Sequence, residues 1–178
     1  MAVMAASLHD DQVPHGNRPW QPGRVLVRSD RRYRFALPVR RVWDEAVETA
    51  RYESWWPWLR HLHAPAFETG AVWTCSVKPP LPYSVRLTIT LDEVVAMSHV
   101  LASVGGDVTG TAAVSFAEVD GGSEVRLVSA LAPSSGLLRV LARAARPLVR
   151  RGHDWVLDAG ARQFREAALP DVDPDPVA

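Results

Sequence analysis

A chain of 178 residues with 20 basic and 20 acidic side chains carries no net formal charge at pH 7, which excludes a global field that gathers nucleic acid or an anionic membrane surface. A chain of this length buries roughly 70% of its unfolded surface in one core, so folding requires neither a metal nor a disulfide. Its one cysteine, Cys75, has no partner for an internal disulfide, and no C-x-x-C or H-E-x-x-H spacing occurs.

The compartment this implies is the reducing cytoplasm. Residues 1–8 form too short an apolar run for a signal peptide and lead directly into His9-Asp10-Asp11. No apolar run approaches the ~20 residues of a membrane span. Every basic residue except Lys78 is arginine, a skew that fits a GC-rich genome better than a recognition surface.

In chain order, residues 1–23 mix Pro, Gly, Asn and charge without a period and read as a flexible arm, which Trp20 is placed to pin onto the body. Residues 31–37 alternate as a strand, with Tyr33, Phe35 and Leu37 on one face. Pro38 ends that strand and opens a helix over 38–49, where Val39, Val42, Trp43, Ala46 and Val47 recur at helical spacing. A second short helix follows over 52–59, limited by Pro57. Period-two alternation then predicts strands at 63–68, 71–78, 83–95, 97–104, 108–119 and 123–132, with glycines or prolines at most joins. Strands this close together pair antiparallel. The sharpest alternation sets Val85, Leu87, Ile89 and Leu91 against Ser84, Arg86, Thr88 and Thr90, so one face is buried and one wetted.

The cover for the buried face is the segment 136–169, read as a long helix kinked at Pro147. At about 100° per residue, Leu148, Gly152, Trp155, Val156 and Ala159 share an arc expected to face the sheet. His153, Leu157, Gly160 and Phe164 form a flank expected to face the two short helices. Arg150–Asp154 and Asp158–Arg162 are spaced as i,i+4 pairs on the opposite side. The Pro-rich tail 170–178 forms neither helix nor ladder and reads as disordered. The body of the protein is therefore 24–169.

Strand, two short helices, six strands and a long helix is the order of the helix-grip fold: an α+β domain with a curved antiparallel sheet of about seven strands around a long kinked C-terminal helix. Val42-Trp43-Asp44, then Arg51-Tyr52-Glu53-Ser54-Trp55-Trp56-Pro57, resembles the opening of the START-like SRPBCC superfamily. Leu81-Pro82-Tyr83, the run 106–111, and His153-Asp154-Trp155-Val156 with Gly160 resemble landmarks of its bacterial polyketide cyclase/dehydrase-like branch. The similarity covers residues 30–168. It implies a cavity for an apolar, lipid- or polyketide-like molecule, and it brings no catalytic residue set, because the superfamily includes enzymes, carriers and receptors.

Candidate ligand-binding residues are Trp56, at the mouth of the cavity, and Trp73 and Cys75 with Leu87 and Ile89 on the strands. From the helix come Trp155, Val156 and Ala159. Cys75 lacks the cationic neighbour a reactive thiol needs and reads as packing. His61 and His63 lack a third ligand, so no metal is expected, and no cofactor is implied. Pro79-Pro80-Leu81-Pro82 reads as a rigid turn, and Arg31-Arg32 and Arg150-Arg151 as solvated pairs.

No paired carboxylates fall on a predicted inward face. For proton transfer the candidates are His153, expected to bond to the short helices, and a strand Ser or Thr. The expected function is binding or carrying an apolar small molecule. The alternatives are a polyketide cyclase or dehydratase acting on a substrate held in the cavity, and an interaction module with a vestigial cavity. No nucleic-acid partner or membrane span is expected, and both a monomer and a homodimer are compatible with the sequence.

Overall fold

The computed structural model describes residues 27–80, 83–134 and 146–169. The arm, the tail, Trp20, Leu81-Pro82 and the helix expected over 136–145 lie outside the described residues.

Seven strands form one fully antiparallel sheet: β1 (Val27–Phe35), β2 (Leu59–His63), β3 (Val72–Val77), β4 (Val85–Val95), β5 (His99–Gly106), β6 (Val108–Val119) and β7 (Gly122–Pro133). They lie in the order β1-β7-β6-β5-β4-β3-β2. Only the first strand leaves chain order, crossing to pair with the last from Val27↔Leu131 to Phe35↔Ser123. Helices α1 (Val39–Ala46) and α2 (Tyr52–Trp55), joined through a 3-10 turn at Thr49–Arg51, connect β1 to β2. Helix α3 (Arg146–Ala168) packs against β1 and α2. This is the α+β helix-grip architecture expected from the sequence.

Local chemistry explains the boundaries that differ. The second helix ends at Trp55, not at 59, because Trp56 precedes Pro57 and sits at φ −120°, ψ 85°, the extended region that a following proline imposes. Leu59 then starts β2, which lies earlier than the strand expected at 63–68. Pro65 has no N–H for a ladder, so 64–68 stays outside the sheet. Within β2 the register shifts between Arg60 and His63, and His61 sits at φ 53°, so His61 occupies a bulge. β1 starts four residues earlier than the alternation at 31–37 suggests, which adds Val27 and Ser29 to its inner face.

The glycines of 106–111 answer to backbone crowding. A Cβ on Gly110, at φ 152°, would lie 1.9 Å from the Ala130 carbonyl oxygen across β6–β7, and one on Gly106 would lie 2.4 Å from that of Arg86. Only glycine permits these approaches. Between them, Asp107 accepts the Arg86 N–H at 2.9 Å.

Aromatic side chains dominate the core. Trp43 of α1 meets Phe116 of β6 and Phe67 edge-on, at 5.2 and 5.6 Å between centroids. Phe164 of α3 meets Phe35 of β1 and Trp55 of α2 at 5.9 and 5.4 Å. Such pairs add roughly 0.5–1.5 kcal/mol each beyond the area they bury. The N-terminus of α1 is held by the Glu118 carboxylate, which accepts the Val39 N–H at 2.8 Å, a favourable charge at the positive end of a helix.

Candidate functional site

Cross-strand pairing builds the inner face of the sheet row by row. One row runs Trp73, Ile89, Val104, Gly110, Leu131 and Val27. The next runs Leu91, Ala102, Ala112, Ser129 and Ser29. A third, past the irregularity between Leu91 and Glu93, runs Val94, Val100, Val114, Leu127 and Arg31. The face is apolar over β3–β6 and turns polar at the β7–β1 margin.

Four of the expected binding residues come together on this face: Trp73 opposite Ile89, and Cys75 opposite Leu87. Trp73 and Cys75 are buried, and Leu87 and Ile89 are half-buried. The Trp73 indole donates to the Ala66 carbonyl at 2.7 Å. Burial pushes the Cys75 thiol up to about 11, the state of a packed and unreactive cysteine.

Helix α3 presents a different side from the one expected. His153, placed on the flank by sequence, points into the sheet and meets Ser29 and Ser129, whereas Phe164 of the same flank meets Trp55 of α2, as expected, and Phe35 of β1 besides. The expected arc is turned away by roughly a third of a turn. Half-buried Trp155 meets Trp58 edge-on at 6.3 Å, Val156 is half-buried, and Ala159 is buried. The cause is the segment after α2. Trp56 donates to the Gly160 carbonyl at 2.9 Å and Trp58 to Gln163 Oε1 at 2.8 Å, so these indoles shield apolar helix surface that never reaches the sheet. The tryptophan cluster thus divides: Trp55 enters the core, while Trp56 and Trp58 clamp α3. The described part of the helix begins at Arg146, one residue before Pro147. The expected kink falls at the border of the undescribed 135–145.

The polar margin went unrecognised in the sequence. Ser29 and Ser129 face each other across β1–β7 with their hydroxyl oxygens 2.8 Å apart. His153 Nε2 lies 3.2 Å from Ser29 Oγ and 3.3 Å from Ser129 Oγ. Burial lowers the His153 pKa, with Asp154 opposing and Arg31 reinforcing the shift, so the ring is neutral at pH 7.

One pair along β1, Arg31 reaches Asp154 at 3.0 Å and Asp158 at 3.8 Å. The Tyr33 hydroxyl donates to Asp158 at 3.1 Å. Burial and that carboxylate both raise the Tyr33 phenol above its ordinary range. Arg31 is therefore not a solvated twin of Arg32, and Asp154 and Asp158 are carboxylates that meet the inner face. Of the expected helix pairs, Arg150–Asp154 forms at 3.9 Å, whereas Arg162 pairs with Glu166.

Two signals for this margin were present: serine at a buried position in the apolar alternation 125–131, and the period Val27, Ser29, Arg31, Tyr33, Phe35. Neither shows by itself that the two strands adjoin. Among the described residues, no group of three His, Cys, Asp or Glu is placed to hold a metal, and no helix is long and apolar enough to cross a membrane.

No protein-family model and no curated protein matches the sequence. Solved structures do match in fold. Protein Ms6760 from Mycobacterium smegmatis aligns with a TM-score of 0.63 at 17% identity, over 82% of this chain and 92% of its own. The di-domain ARO/CYC BexL from the BE-7585A biosynthetic pathway aligns with a TM-score of 0.63 at 14% identity, over 83% of this chain and 51% of its own. Ara h 8.0201 aligns with a TM-score of 0.59 at 9% identity, over 82% of this chain and 99% of its own. At these identities the likeness is one of fold, the helix-grip fold expected from the sequence.

Proposed function

We propose that this protein binds and carries an apolar small molecule, lipid- or polyketide-like, between the inner face of the sheet and α3. The observation that carries this reading is the state of the inner face. Leu87, Ile89, Val104, Ala112, Val114 and Leu131 keep partial exposure, although they point to the side of the sheet on which His153 and Phe164 of α3 meet it. Aromatic packing closes the other end, around Phe35, Trp43, Trp55 and Phe164. Partly exposed apolar side chains on the helix-facing side of a sheet are the lining that small-molecule sites commonly use. The fold likeness to BexL and Ara h 8.0201 supports this reading. The free, buried Cys75 fits a reducing, cytoplasmic setting.

Native mass spectrometry of freshly purified protein tests the reading. An adduct of small-molecule mass, lost on denaturation, is the expected result. The absence both of an adduct and of saturable binding of an apolar fluorophore such as 1-anilinonaphthalene-8-sulfonate would overturn it.

A second reading, a cyclase or dehydratase acting on a polyketide-like substrate, is favoured by one arrangement: neutral His153 in contact with two hydroxyls. Such a ring exchanges protons near neutral pH. Under this reading His153→Gln abolishes turnover of a bound poly-β-ketone.

A further inference from the structure

We propose that Ser29, Ser129 and His153 are the polar anchor of the ligand site, and that they select an apolar molecule bearing a neutral hydroxyl or carbonyl oxygen over a plain hydrocarbon. The proposal rests on the binding reading above and adds the chemical class.

The argument is a count of protons. Three atoms, two hydroxyl oxygens and His153 Nε2, lie 2.8, 3.2 and 3.3 Å apart. With Nε2 unprotonated it has one lone pair, and the two hydroxyls own one proton each. Two of the three contacts are then hydrogen bonds, and the terminal serine oxygen keeps its lone pairs. With Nε2 protonated it donates to one serine, that serine donates to the other, and the last hydroxyl proton has no acceptor within the triangle. In either tautomer the triangle can bond a fourth group, accepting on its free lone pairs in the first case and donating one proton in the second. A ligand hydroxyl satisfies both cases and a carbonyl the second.

Position and charge narrow the class further. The serines continue the inner row through Ala112 and Ala102 to Leu91, whose two alanines are the smallest side chains on that side of the triangle. Leu127 and Leu131 flank Ser129 on its own strand face. The nearest cation on the inner face, Arg31, is matched by Asp154 and Asp158, so an anionic headgroup finds no uncompensated positive charge. The site therefore fits a neutral oxygen on an apolar skeleton.

The test compares 2-naphthol with naphthalene, probes of similar apolar size that differ by one hydroxyl, binding to the full chain by fluorescence titration. The expected result is 2-naphthol binding about five- to tenfold tighter, the worth of one net buried hydrogen bond. In Ser129→Ala, and in the double variant Ser29→Ala/Ser129→Ala, the preference falls below about twofold while naphthalene affinity holds. A purely structural role for the triangle would weaken both probes together. Equal binding of both probes to the unaltered protein, or a preference that survives the double variant, overturns the anchor and leaves the binding reading standing. Failure of both probes to bind defeats the binding reading itself, and the anchor with it. Where Ser129→Ala does not fold, Ser29→Ala, half-buried on the edge strand, carries the same comparison.

Discussion

Arg31, on the inner face of edge strand β1, holds Asp154 of α3 at 3.0 Å. The contact ties the first described strand to the last helix, across 123 positions of sequence. The two side chains keep 39% and 30% of their exposure, so water screens the pair and its worth is modest. A double-mutant cycle with Arg31→Ala and Asp154→Ala, read by urea denaturation, should give a coupling of about 1 kcal/mol that shrinks in 1 M salt. A coupling of zero would mean that this pair contributes nothing to the docking of the helix.

The altered phase of α3 separates two tryptophans. Trp43, 8% exposed and wedged edge-on between Phe67 and Phe116, should cost about 3–5 kcal/mol as Trp43→Ala. Half-buried Trp155, whose one ring contact among the described residues is Trp58, should cost only about 1–2 kcal/mol as Trp155→Ala. Equal losses in chemical denaturation would place Trp155 in the core and the helix in the other phase.

His153 links stability to pH. Burial holds its folded pKa below the ordinary 6.5, so between those two values the unfolded chain binds the extra proton and the folded one does not. The His153 contribution to stability is therefore level above pH 6.5 and falls as the pH drops through the window beneath it. Thermal melts at pH 7.5 and 5.5 should show a lower Tm at 5.5, and His153→Gln, which has no proton to take up, should reduce that difference. A pH dependence unchanged by the substitution would locate the linkage elsewhere.

Cys75 should be silent in the folded protein. With its thiol pushed up to about 11, the thiolate fraction at pH 8 is about 100-fold below that of an ordinary cysteine. An aromatic disulfide reagent should label it at least that much more slowly in buffer than in 6 M guanidinium chloride. Rapid labelling of the native state would show that the β3–β4 face opens to solvent.

Alternation is a property of neighbouring residues, so the strands around 85–91 and 125–131 and the one-sided character of the sheet were legible in the chain. So were the antiparallel pairing, which short connections enforce, and the facing of Trp73 and Cys75 toward Leu87 and Ile89. The polar margin was not legible, because Ser29 and Ser129 stand 100 positions apart and meet only when β1 crosses to pair with β7. Nor does a hydrophobic arc reveal which element will cover it. Trp155, Val156 and Ala159 lie on the apolar side of α3 by any count, yet Trp56 and Trp58 clamp the helix and leave the sheet to His153 and Phe164. Burial rewards apolar surface equally against either neighbour. The choice was made by directional contacts, the indole hydrogen bonds on one side and the Arg31–Asp154 pair on the other, and these exist only after the elements have come together.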